Sequence, residues 1–122
     1  MHQHYAWGDE EPDGERANFD AIYNGTTAVG CFARGATPEG VYDMTGNVWE
    51  WTRSEYRPYP YDPNDGREDG QEPARKYFTL CGGSWEFQPI FLRAALRVHS
   101  NSDNRGSHIG FRLARHPPRV RA

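Results

Sequence analysis

At 122 residues the chain has material for one domain, predicted to span 1–122, and for a single core. Only 36% of its residues are hydrophobic, while 13 are Gly, 9 are Pro and 14% are aromatic; this argues against a bundle of long helices and predicts rings carried on short strands and loops. The net charge of −3 hides a split, with 15 acidic and 5 basic residues in 1–72 against 2 and 9 in 73–122, but the arginines of the second part are too dispersed for a nucleic-acid surface, and no apolar run nears the roughly 20 residues that span a membrane.

The first twenty residues read as irregular, with an acidic run from Asp9 to Glu15 broken by Pro12 and Gly14. His2, Gln3 and His4 are polar where a secretory leader is apolar, so no export signal is visible and the cytoplasm is the default compartment. His2 and His4 form a pair with no third metal ligand nearby. Asn24-Gly25 signals a tight turn, Thr26 to Phe32 is β-branched enough for a short strand, and Pro38-Glu39-Gly40 turns the chain again. The two cysteines, Cys31 and Cys81, fit no metal spacing and read as buried, free, inert thiols.

Residues 41–52 run Val-Tyr-Asp-Met-Thr-Gly-Asn-Val-Trp-Glu-Trp-Thr. Gly46 and Asn47 both tolerate positive φ and predict a sharp turn. An extended segment follows, placing Trp49 and Trp51 on one face. Asp43 and Glu50 flank the turn. Either they cap and solvate it, or they converge with freed carbonyls on a hard cation such as calcium, which takes oxygen ligands from flexible loops.

Residues 53–76 form a polar loop rich in Pro and Tyr, and Lys76 to Trp85 a strand ending where Gly82-Gly83 lets backbones pass closely. Phe91 to Arg97 has helix-forming composition. Ile109 to Arg115 alternates apolar and basic residues, as a half-exposed strand does, and Pro117-Pro118 stops it.

The central stretch resembles the signature of the formylglycine-generating enzyme (sulfatase-modifying factor) family, a branch of the C-type lectin fold. Further matching pieces follow the family's order: Tyr5 to Glu10 with Arg16-Ala17-Asn18-Phe19, then Cys81-Gly82-Gly83-Ser84-Trp85, then Ile109-Gly110-Phe111-Arg112-Leu113-Ala114. The resemblance implies an α+β, C-type lectin-like fold of the minimal or C-terminal kind, loop-rich, with short antiparallel strands. It places a loop at 86–91 and a strand near 92–97 where composition favours helix. It also implies one structural calcium ion held by the side chains of Asp43 and Glu50 and the carbonyls of Gly46 and Val48, with Asn18 and Phe19 matching half of a second site.

The family's oxidase chemistry uses copper and two cysteines, whose positions fall near Pro89 and at Ala94. With no thiol at either, the expectation is a chain that binds no copper and is not an enzyme. Related ergothioneine-type oxygenases keep iron on a separate helical domain. Residues 82–112 also resemble the variable region of proteins diversified by retroelements. Fixed residues there hold the fold, and those between are rewritten from adenine-containing codons. The interleaved positions are Glu86, Phe87, Gln88, Ile90, Phe91, Leu96, Val98, His99, Ser100, Gly106, Ser107 and His108. That reading predicts a non-catalytic module whose twelve side chains form one exposed surface for a protein ligand. Trp85 and Phe111 would be core, and Arg93, Arg97 and Arg112 would brace loops. The alternative is an accessory or structural domain of a larger protein related to the formylglycine-generating enzymes.

Overall fold

Alternating apolar residues after the Gly46-Asn47 turn open the first strand, β1, at Trp49–Glu55. In the computed structural model, which describes residues 3–69, 76–118 and 120, three further strands follow: β2 at Tyr77–Cys81, β3 at Arg97–Asn101 and β4 at Ile109–Gly110. They form one sheet in the order β3-β2-β1-β4. The β1–β2 and β2–β3 pairs are antiparallel, but β4 runs parallel to β1 through Trp49↔Ile109 and Glu50↔Gly110, which departs from the expected all-antiparallel set. Register puts Trp51 opposite Leu80 and Leu80 opposite Val98. One sheet face is therefore apolar, while Glu50, Cys81 and Arg97 share the other.

Among the described residues helical structure is confined to 3-10 turns at Ala33–Gly35 and Pro89–Leu92, with no α-helix. The result is a small, mostly sheet, loop-rich domain. The turn signals at Asn24-Gly25, Pro38-Glu39-Gly40 and Gly46-Asn47 are realised; Asn47 has φ 67° and Gly46 φ 79°. Gly46 is obligatory, because a Cβ there would lie 2.5 Å from the Asn18 carbonyl oxygen. Thr26 to Phe32 is not a strand. The Thr27 amide donates to Asn47 Oδ1 at 3.0 Å and the Gly30 amide to Asp43 Oδ2 at 2.8 Å, so side chains of the turn satisfy donors a strand would pair. Phe91 to Arg97 is neither helix nor strand throughout: the 3-10 turn ends at Leu92 and β3 begins only at Arg97. Ile109 to Arg115 pairs for two residues alone.

Much of the core lies off the sheet. Tyr5, Ala17, Phe19 and Leu92 pack together, with Trp7 stacked on Tyr5 at 5.3 Å. Backbone bonds draw three loops into one clamp: Asn47 N–H to Asn18 O, Trp85 N–H to Asn47 O, Gly46 N–H to Gly82 O, Ala21 N–H to Trp85 O and Asp20 N–H to Phe87 O, all at 2.7–2.8 Å. Each such bond contributes about 1 kcal/mol, and together they fix where residues 82–87 sit over the sheet. The expected buried frame holds for Gly83 and Ser84. Trp85 is half-buried, and Phe111 is 72% exposed because nothing described packs beyond β4.

Candidate functional site

The apolar face of the sheet is only partly covered. Trp49 and Leu80, both buried, form the floor of a cavity of about 190 Å³ walled by Phe87, Val98, His99, Ser100, Asn104, His108 and Ile109. Phe87 stands edge-on to Trp49 at 5.3 Å and to Phe91 at 5.2 Å, held because its amide donates to Ser84 O and its carbonyl accepts from Asp20. The His99 side chain, two residues on from Arg97, lies on the opposite face of the sheet, against Tyr56 at 4.5 Å and Tyr77 at 5.2 Å. His108 Nδ1 lies 3.4 Å from Glu86 Oε1, and Asn104 donates to Ser100 Oγ at 2.7 Å. A hollow of about 360 Å³, lined also by Trp51, Arg105 and Phe111, continues past Asn104 and Ile109. The His108 imidazole and an amide beside aromatic rings can orient a small organic ligand and exchange a proton with it.

None of the twelve positions singled out from sequence is buried. Phe87, Val98, His99, Ser100 and His108 line the cavity, Gly106 lines the adjoining hollow, Glu86 reaches the site through His108, and Phe91 backs Phe87. Gln88, Ile90, Leu96 and Ser107 line neither space, though the Ser107 carbonyl accepts from Trp85 Nε1 at 3.1 Å. Sequence reasoning missed Asn104 and the parts of Trp49, Leu80 and Ile109, which depend on the sheet register Trp49↔Ile109 and Leu80↔Val98. His2 lies outside the described residues; His4 pairs with Asp9.

The oxygen-rich turn is arranged otherwise than expected. Asp43, Asn47, Val48 and Glu50 border a cavity of about 250 Å³ with Val29, Phe111 and Arg112. Arg112 donates to both Glu50 carboxylate oxygens, at 2.6 and 2.5 Å, and to the carbonyls of Tyr42 and Asp43 at 2.8 and 2.9 Å. A guanidinium thus engages the carboxylate of Glu50, one of the expected calcium ligands, and Asp43 Oδ2, another, accepts from the Gly30 amide. No group of three His, Cys, Asp or Glu suited to a metal occurs among the described residues. The bracing role of Arg112 is observed, and Arg97 likewise donates to Arg57 O at 3.1 Å.

Cys31 is exposed, against expectation, and Cys81 is half-buried; both are free. Cys81 faces a separate cavity of about 220 Å³ shared with Tyr5, Met44, Thr45, Leu92 and Ala94. Burial there pushes its thiol up from the ordinary value.

Comparison with known proteins adds the family context. The sulfatase-modifying factor enzyme 1-like domain matches residues 1–117. Hercynine oxygenase of Mycobacterium tuberculosis is 37% identical over 90% of this chain and 26% of its own length. The formylglycine-generating enzyme of the same organism is 34% identical over 93% of this chain and 45% of its own. The structure of PvdO from Pseudomonas aeruginosa superposes with a TM-score of 0.65 at 32% identity, covering 88% of this chain and 41% of that one. The chain therefore spans about a quarter to under half of each of these three relatives. Two of them, hercynine oxygenase and the formylglycine-generating enzyme, are enzymes by name, which overturns the expectation of a non-enzyme drawn from Pro89 and Ala94. The exclusion of copper, resting on the same two positions, falls with it. These comparisons do not show the tie to retroelement-diversified proteins.

Proposed function

The chain belongs to the sulfatase-modifying factor enzyme 1-like domain family, and we propose that it is the substrate-holding part of an enzyme of that family, its ligand lying in the cavity between Phe87, Asn104 and His108. The observation that carries this is the convergence of the His108 imidazole, Asn104 and the rings of Trp49 and Phe87 on one open cavity, in a chain whose relatives are named for oxidative chemistry. Aromatic walls fit the flat or cationic part of a small organic substrate. With Nδ1 of His108 turned toward Glu86, Nε2 is left for the ligand. The adjoining hollow beside Trp51 and Phe111 receives the rest of a larger substrate. A ligand carried on loops over a small sheet also agrees with a C-type lectin-like scaffold.

Titration of the intrinsic tryptophan fluorescence with hercynine, and separately with a cysteine-containing peptide, tests the proposal. Saturable quenching by one of them, weakened by His108→Ala and Phe87→Ala, supports it. No response to either at millimolar concentration sinks it.

A second reading, a displayed surface of the retroelement-diversified kind that takes a protein ligand, draws on the exposure or half-exposure of all twelve interleaved positions. A reverse transcriptase gene next to a near-repeat of the 3′ end of this gene would decide for it, and its absence against it.

A further inference from the structure

The chain turns as soon as β3 ends at Asn101: the Asn104 amide donates to Asn101 O at 2.9 Å, and the Asn104 side chain donates to Ser100 Oγ at 2.7 Å. A second turn, Ile109 N–H to Gly106 O at 3.3 Å, leads into β4. Arg105 lies between the two turns and lines the hollow of about 360 Å³ together with Trp51, Ser102, Asn104 and Phe111. It is the one charged residue in that lining; Asp103, two positions before it, stands outside. The cavity that the hollow adjoins is lined by no carboxylate, lysine or arginine. Elsewhere Arg16, Arg57, Arg67, Arg97 and Arg112 are held by carboxylates or carbonyls. Arg105 has no such partner among the described residues.

We infer that this hollow is a carboxylate subsite in which Arg105 determines specificity. Its part in holding a substrate rests on the reading of the adjoining cavity as the binding site: the ligand's ring lies against Trp49 and Phe87, and its carboxylate reaches Arg105. A guanidinium with no protein partner presents a planar fork of N–H donors, which matches a carboxylate in two-pronged fashion. The rings of Trp51 and Phe111 keep part of the water away from that fork, so the attraction is stronger there than in open solvent. Ser102 adds a hydroxyl, and Asn104 has a second amide N–H beyond the one given to Ser100. Asn104 lines both spaces, which joins the ring site and the carboxylate site into one trough. One cation balances one negative charge, whereas a phosphate monoester carries close to two at neutral pH. A cationic ligand end is the poorer match, because no carboxylate lines either space.

The test titrates the chain calorimetrically with three probe series of graded chain length: ω-phenylalkanoates, their primary amides and the corresponding phenylalkyl phosphates. The best acid is expected to bind at least about tenfold more tightly than its amide, by a margin that shrinks as salt is raised. Arg105→Ala should remove that margin by weakening the acid while leaving the amide unchanged. Arg105→Lys should restore it only in part, because an ammonium lacks the fork. Arg34→Ala, at an arginine that lines neither space, should change nothing. Arg105 is exposed, so both of its variants should melt with the wild type. Acid and amide that bind equally, both weakened by Phe87→Ala and neither by Arg105→Ala, overturn the inference and leave the cavity reading in place. Acid binding that needs Arg105 but is indifferent to Phe87→Ala and His108→Ala supports the carboxylate subsite and removes the cavity reading. A phosphate that binds more tightly than the acid of the same length overturns the assignment to a carboxylate, and no binding of any probe at millimolar concentration overturns the inference outright.

Discussion

Arg112 and Glu50, 62 residues apart in sequence, meet as a two-pronged ion pair, Nε to Oε2 and Nη2 to Oε1. The same guanidinium takes the carbonyls of Tyr42 and Asp43, so one side chain joins the end of β4, the start of β1 and the turn before it. Its hydrogen bonds to Glu50 raise the arginine's own pKa further. Arg112→Met is expected to cost about 1–2 kcal/mol, the value of charged hydrogen bonds discounted for partial exposure, and to lower the melting temperature by several degrees. Arg112→Lys should recover little, because an ammonium cannot reproduce the planar fork. Thermal unfolding followed by circular dichroism measures both; equal melting temperatures for wild type and Arg112→Met would refute the role.

Asp65 and Arg67 give a pH dependence with a definite sign. Arg67 is 3% exposed and donates through Nε and Nη2 to the Asp65 carboxylate at 2.7–3.0 Å. Those bonds, the largest cause, hold the Asp65 carboxyl down to about 2. A carboxyl depressed in the folded state contributes stability above its unfolded value of about 3.9, and that contribution is lost as pH falls from about 4 toward about 2. Asp65→Asn should lower the melting temperature at pH 7 and flatten its dependence on pH across that window. A variant whose melting temperature falls as steeply below pH 4 as the wild type's would contradict this.

Part of this architecture was legible in the sequence because local chemistry settled it. Gly46 and Asn47 adopt the positive φ that their residue types permit, and the apolar alternation after them becomes β1. Glycine at 82 and 83 likewise announced a close passage: a Cβ on Gly83 would sit 2.5 Å from Leu92 Cδ2. What could not be read depended on distant partners. Thr26 to Phe32 has strand composition, yet the side chains of Asn47 and Asp43 take its donors. Ile109 to Arg115 has the strand pattern but a partner for only two residues, which leaves Phe111 open to solvent. At the site, the exposed residues of 86–108 could be named from their place between motif residues, whereas the floor of Trp49 and Leu80 required the sheet register. The oxygen-rich turn was located correctly, but nothing near it in sequence pointed to Arg112.

Gly46→Ala should be among the most damaging small substitutions. The backbone there has φ 79°, and an added Cβ meets the Asn18 carbonyl, itself the acceptor for the Asn47 amide. Strain and the displaced bond together predict a loss of about 1–3 kcal/mol, read from urea denaturation midpoints. A loss within experimental error of zero would mean that this turn relaxes freely.

The two thiols should separate kinetically. Cys31 is exposed, whereas Cys81 is half-buried with its thiol pushed up by desolvation. The thiolate is the reactive form. At pH 8 one equivalent of an aromatic disulfide reagent is expected to react rapidly in the native protein, and Cys31→Ser should abolish that phase. The second equivalent should follow only slowly, or on addition of denaturant. Two equally fast equivalents would place Cys81 in open solvent.

The cavity makes the last prediction, by contrasting two of its walls. Phe87 is half-buried and makes edge contacts with both Trp49 and Phe91, so its removal exposes the floor of the site. Phe87→Ala should lower stability by about 1–3 kcal/mol, less than for a fully buried ring because part of the side chain is already in water. It should also shift the tryptophan emission to longer wavelength as water reaches Trp49. His108 is half-buried, its Nδ1 3.4 Å from Glu86 Oε1 and its ring 6.2 Å from that of Phe87. His108→Ala should change stability by less than about 1 kcal/mol, while weakening any ligand that Phe87→Ala weakens. Paired denaturation and fluorescence titrations on the two variants separate these effects. If His108→Ala destabilises the fold as much as Phe87→Ala does, the imidazole is structural and the cavity loses its candidate proton-transfer group.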